Sequence, residues 1–167
     1  MTLETNEPSE FNDALAQWQR IETLVKHWLE ERRRLIYLLC AVRGIRGLTF
    51  DGVPIHYRVQ QLCQVLMDYI SAGHFEVYRE LVREARSFHT DNPGLVNKIL
   101  QELEDSTDEA LSFNEDFETP ERCDALLDSL PRRLSTLLEK LEERFALEDQ
   151  LILSIHQQEW PAGMRMH

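Results

Sequence analysis

A single apolar stripe constrains this chain more than anything else in it. Phe11, Leu15, Trp18, Ile21, Leu24, Val25, Trp28, Leu35, Leu39 and Val42 recur at intervals of three and four. That is the period of a helix burying one face, held for some nine turns. The spacing predicts a helix opening near Ser9, as N-cap, and closing at Gly44 and Gly47. So long a helix buries its stripe only against other long elements, which points to a bundle. One position breaks the stripe: Arg32 stands where an apolar residue is due. Arginine there calls for a buried acceptor, a partner surface, or a stem that carries its head out to water.

The remainder of the chain repeats the helical period. Pro54 suits the first turn of a second helix running to Ala72. Val59, Leu62, Cys63, Leu66 and Ile70 are its inner face. Phe75, Tyr78, Leu81, Val82 and Ala85 mark a third, from His74 to about Phe88. A fourth starts at Pro93, with Asn92 as candidate cap, and runs through Leu111. Residues 114–118 read as an acidic loop. Thr119-Pro120 opens the last helical region, with a break or kink expected at Pro131. The fold class is therefore all-α: a helical bundle with a long N-terminal helix and a long C-terminal helical region. Residues 1–8 are expected to be a mobile N-terminus, 9–156 a single domain, and 157–167 an unpatterned tail.

Charge narrows the possible partners. The net charge is −12, and residues 99–128 hold eleven acidic residues against one basic residue, Arg122. Nucleic-acid binding draws its affinity from Lys and Arg on phosphates, so this balance argues against it. It suits a basic protein partner, or else a solubilising face. The first third is locally basic through Arg32, Arg33, Arg34, Arg43 and Arg46. No apolar run is long enough to span a membrane, and the N-terminus lacks a signal-peptide pattern. Cys40, Cys63 and Cys123 form no CxxC pair and read as buried free thiols in a reducing compartment.

Catalytic motifs are absent: there is no GxGxxG, P-loop, HExxH or GxSxG. A metal site inside the bundle would need His and Glu at helical spacing on several facing helices. Tyr78 follows His74 by four residues, and Arg144 precedes Glu148 by four, so that ligand set is missing. Arg144 and Glu148 read as an intrahelical ion pair on a half-buried face. No cofactor is expected. The junction between the second and third helices is less ordinary. Asp68, Ser71, His74 and Phe75 crowd an acceptor, a hydroxyl, an imidazole and an aromatic ring around Ser71-Ala72-Gly73. It reads either as a helix–helix corner relaxed by glycine or as a recognition surface.

Three stretches, in order and at these separations, resemble one family. They are Leu24-Val-Lys-His-Trp-Leu-Glu-Glu-Arg32, Leu66-Met-Asp-Tyr-Ile-Ser-Ala-Gly-His-Phe-Glu-Val-Tyr78 and Leu141-Glu-Glu-Arg-Phe-Ala-Leu-Glu-Asp-Gln-Leu-Ile152. Together they are similar to the Rsd/AlgQ regulators of gammaproteobacteria, and Ala72-Gly-His-Phe-Glu76 is closer to the AlgQ branch of pseudomonads. The resemblance implies a cytoplasmic helical bundle without catalysis. Its implied partner is the primary sigma factor of RNA polymerase, bound through the C-terminal promoter-reading domain. Such a protein acts as an anti-sigma factor and favours alternative sigma factors. Asp68, Ser71 and Phe75 match family positions associated with sigma contact, with His74 beside them; Trp28 and Arg32 match the first-helix motif. The rival expectations are a helical adaptor for another signalling or metabolic protein and a hemerythrin-like metal protein.

Overall fold

A computed structural model of the chain describes residues 6–44, 49–50, 53–87 and 93–154, without the side chains of residues 6–11, 49–50, 74–75, 85–87 and 93. The long stripe forms α1, Asn6–Arg43. It starts ahead of Ser9, which lies inside it, and ends one residue before Gly44 as expected. Gly47, residues 1–5 and the tail 157–167 fall outside the described residues. Between α1 and the next helix, Thr49–Phe50 (β1) and Val53–Pro54 (β2) make a minimal antiparallel pair, Thr49 opposite Pro54. Pro54 therefore precedes the second helix as its N-cap residue and is not in its first turn.

α2 (Ile55–Ala72) does not end in a corner. A π-turn, Gly73–Val77, follows without a break and leads into α3, Tyr78–Ser87. Ala72, Gly73 and Tyr78 all keep right-handed helical backbone angles. The corner expectation is thus corrected: the hydrogen-bond ladder absorbs one extra residue and the axis continues. α1 runs antiparallel to this composite helix, with Arg20 against Glu80, Trp28 against Gly73 and Arg32 against Tyr69.

α4, Pro93–Phe117, is longer than its apolar pattern suggested, and residues 114–117 are helical rather than loop. Phe113 and Phe117 supply the reason. Both are fully buried one turn apart, their ring centroids 4.7 Å from each other. The carboxylates between them project outward, and Asp116 accepts from Arg133 at 2.6 Å and from Arg122 at 3.2 Å. The bond from Arg133, helped by the charges of Arg133 and Arg122, holds the Asp116 carboxyl below its ordinary value against the opposing effect of burial. That contribution is present at neutral pH and fades as the pH falls through the carboxylate range. Thr119 caps α5 (Pro120–Ala125), its side chain accepting from the Arg122 N–H at 3.2 Å. A 3-10 turn at Leu127–Ser129 precedes α6, Leu130–Ile152, so the break falls just before Pro131, which sits in the first turn. α4 and α6 are antiparallel, tied by Lys140 to Asp105 and Arg133 to Asp116.

The thiols divide unevenly. Cys63 and Cys123 are buried, but Cys40 is exposed, which corrects its reading as a core residue. Burial, followed by the proximity of Cys123, pushes the Cys63 thiol up to about 12; burial, with Asp124 adding, takes Cys123 to about 11. Thiolates are the reactive form. Iodoacetamide at mildly alkaline pH is therefore expected to modify Cys40 alone in the native protein and all three cysteines in denaturant. Peptide mass mapping checks this, and fast native labelling of Cys63 would contradict the packing of α2 against α5.

Candidate functional site

The residues singled out in the sequence separate into an exposed rim and a buried centre. Asp68 and Ser71 lie on the outer face of α2, exposed and three residues apart, so they stand side by side one turn before the π-turn. His74 and Phe75 belong to the π-turn by backbone; their side chains lie outside the described residues. Trp28 and Arg32 are not on this rim. Trp28 is 2% exposed and Arg32 is buried beside it.

Trp28 is the floor beneath the π-turn. Its indole stacks on Tyr69, with centroids 5.2 Å apart, and meets Tyr78 edge-on at 5.8 Å. A Cβ on Gly73 would come within 3.1 Å of the ring. Glycine is needed here for close approach, not for a special backbone angle, since its φ is −58°. The π-turn also explains how Tyr69 and Tyr78 reach the same ring. Nine residues of plain α-helix leave two side chains about 180° apart. One extra residue in the ladder takes back about 100°, and both phenols then turn inward.

Both phenols converge on Glu148. Its Oε1 accepts from the Tyr69 hydroxyl at 2.6 Å and from Arg32 Nη2 at 3.2 Å. Its Oε2 accepts from the Tyr78 hydroxyl at 2.5 Å and from Arg144 Nε at 3.0 Å. Arg32 also donates through Nε to Tyr69 at 3.0 Å and through Nη1 to Asp149 at 2.6 Å. Arg144 donates to Tyr78, to the hydroxyls of Ser106 and Thr107, and to the carbonyl of Leu103. Phe145 closes the side, 4.8 Å from the Arg32 guanidinium. Two arginines thus face two carboxylates, and each nitrogen of both guanidiniums has an acceptor, the condition for a buried ion cluster to be tolerated. The Trp28 indole N–H beside them is buried with no hydrogen-bond partner among the described residues.

The electrostatics follow from burial. Burial pushes the Glu148 carboxyl up and outweighs the opposing pull of Arg144, the two phenols and Arg32, so it is raised above the usual carboxylate range. Four donors already occupy both oxygens, so a proton would have to displace one of them. Burial and then Glu148 raise Tyr69 and Tyr78 far above the usual phenol range. Burial works to lower Arg32, but its contacts with Tyr69, Asp149 and Glu148 outweigh that, and it is raised.

The arginine in the first stripe therefore has the buried acceptor it calls for, and the Arg144–Glu148 pair exists at 3.0 Å. The pair sits at the centre of the bundle, however, not on a half-buried face: Glu148 is 0% exposed. Sequence reasoning missed Tyr69, Tyr78, Ser106 and Thr107. A tyrosine at an inward helical position signals a buried hydroxyl in search of a partner, and both tyrosines occupy such positions. Chemically, the charged groups of the cluster are paired with one another, and two guanidiniums repel a cation. Among the described residues, no three His, Cys, Asp or Glu side chains gather in a way that could hold a metal ion. No described helix is long and apolar enough to cross a membrane.

Comparison with known proteins agrees with the three-stretch resemblance. Residues 9–156, from α1 to the end of α6, match the family described as regulator of RNA polymerase sigma(70) subunit, Rsd/AlgQ. A Regulator of sigma D from Yersinia enterocolitica is 29% identical over 130 residues, covering 77% of this chain and 78% of the relative. One from Yersinia pseudotuberculosis is 31% identical, with 77% of each chain covered. Another, from Shigella dysenteriae, is 32% identical over 134 residues, covering 79% of this chain and 83% of the relative. No solved structure matches the chain. With the family match extending over the whole bundle, the chain belongs to the Rsd/AlgQ family of regulators of the RNA polymerase sigma(70) subunit.

Proposed function

We propose that the protein is an anti-sigma regulator that acts in the cytoplasm by binding the primary sigma factor, without catalysis and without touching DNA itself. The observation that carries this reading is the family match from residue 9 to residue 156. Relatives are named for regulating sigma D. The bound part of sigma is the C-terminal domain, whose helix-turn-helix must be basic to hold promoter DNA. Covering that domain takes sigma from its promoters and favours alternative sigma factors.

The contact surface on this reading comprises the exposed Asp68 and Ser71 of α2 together with His74 and Phe75 of the π-turn. Trp28 serves it from below, packed against Gly73 of the π-turn, and Arg32 by holding Tyr69 of α2. The exposed carboxylates of α4 and α5, Glu102, Glu104, Asp105, Asp108 and Glu115 among them, supply a field of the sign that attracts such a domain. Titration calorimetry with the isolated C-terminal sigma domain tests the reading. Phe75→Ala is expected to weaken binding by about 2 kcal/mol or more while remaining folded by circular dichroism. Asp68→Ala should weaken it less. The association rate should fall with added salt as the Debye length shrinks toward about 8 Å. Wild-type protein that fails to bind the isolated domain would refute this assignment of the partner.

A further inference from the structure

The C-terminal half of α1 carries a face that, among the described residues, neither the bundle nor the rim covers. Its inner residues Leu35, Leu38, Leu39 and Val42 are buried. On the opposite side, Arg33, Ile36, Tyr37, Cys40 and Arg43 follow one another at helical spacing, and all are exposed. Tyr37 is 72% exposed and Ile36 37%. Scattered apolar residues on a surface are ordinary. Here, however, an aromatic and an aliphatic side chain adjoin on one face and are bracketed by arginines. Aromatic and arginine side chains are the types enriched where proteins dock.

Charge selects the occupant. From Arg33 to Arg43 the helix bears three arginines and no acidic residue, in a chain of net charge −12. A second copy pairing through the same face by two-fold symmetry would set arginines against arginines. Nucleic acid would meet the repulsion of the whole molecule, and Ile36 offers nothing to a phosphate. The complementary shape for one straight helix face is another helix, with apolar residues toward Ile36 and Tyr37 and carboxylates toward the arginines. We propose that the outward face of α1 around Tyr37 is a second docking surface, which receives an acidic amphipathic helix of a partner protein. It is separate from the rim of α2 and the π-turn, and its sign is opposite to that of the field suited to a basic sigma domain.

The test uses the full chain and a fluorescent helical peptide with leucines on one face and glutamates on the other. Anisotropy should show saturable binding. Tyr37→Ser, and separately Arg33→Glu with Arg43→Glu, should each weaken it by about tenfold. These side chains are exposed, so thermal melts should match wild type and exclude unfolding as the cause. A peptide with the same glutamates but no leucines should bind at least about tenfold more weakly. Calorimetry with the C-terminal sigma domain should be unchanged in all these variants. Equal binding of the leucine-free peptide would reduce the face to non-specific attraction and overturn the proposal. So would peptide binding that ignores both sets of substitutions, or a DNA duplex that binds this face in place of the peptide. Loss of sigma binding in the same variants would overturn it too, by making the face part of the sigma interface.

Discussion

Glu148→Ala is expected to destabilise the protein by about 3–5 kcal/mol, the cost of leaving a buried ion cluster without its central acceptor. For a chain of this size that lowers the melting temperature by on the order of 10 °C. The reason is geometric. Two phenols and two guanidiniums point at one carboxylate that water does not reach. Without it Arg32 keeps only the half-exposed Asp149 carboxylate, and Arg144 keeps only the neutral oxygens of Ser106, Thr107 and Leu103 beside the Tyr78 hydroxyl. The order of effects along the cluster is also expected. Arg144→Ala should rank next, because Arg144 also ties α6 to α4 through Ser106, Thr107 and Leu103. Arg32→Ala should cost less, since Asp149 is half exposed and Glu148 keeps Arg144. Thermal and urea melts of the three variants check the order. A Glu148→Ala protein within about 1 kcal/mol of wild type would mean that the cluster relaxes into water and does not pin the bundle.

Trp28→Ala carries the second large effect, about 3–5 kcal/mol from loss of a large buried ring and the cavity that remains. Its informative form is a double-mutant cycle with Gly73→Ala. On a bare helix, alanine in place of glycine gains about 1 kcal/mol. Here the added methyl meets an indole held by Tyr69 on one side and Tyr78 on another. The ring cannot yield, so Gly73→Ala should destabilise the wild-type protein by roughly 1–3 kcal/mol. In the Trp28→Ala background the space is open, and the same change should become stabilising. A coupling energy of at least about 1 kcal/mol is the expected result of the four melts. Gly73→Ala that stabilises the wild-type protein would show that the indole moves aside freely, and that the rim above it is not set by this contact.

Parts of this site were legible and others were not, for physical reasons. Arg32 announced itself because a charge in an apolar stripe has few tolerable surroundings, and a buried acceptor is one of them. Arg144 and Glu148 were legible as a pair because spacing of four is local information. That Arg32 and Arg144 share Glu148 was not legible: Arg32 and Glu148 lie 116 positions apart. Phe113 and Phe117 held the clue to the helical course of residues 114–117, but the acidic residues around them masked it.

The sequence by itself determined the all-α class, the long first helix, an interruption of the last helical region at Pro131 and the separation of acidic from basic residues. Each of these rests on period, proline chemistry or charge, which act within a few turns of chain. Only the tertiary structure decided that the Ser71–Gly73 junction is a π-turn in a continuous helix, that Trp28 lies beneath it, and that Tyr69 and Tyr78 face one carboxylate. Those outcomes depend on which helices approach one another and how closely. A ring 3.1 Å from where a Cβ would stand, and one acceptor shared by donors from three helices, are properties of packed surfaces that no single helix period encodes.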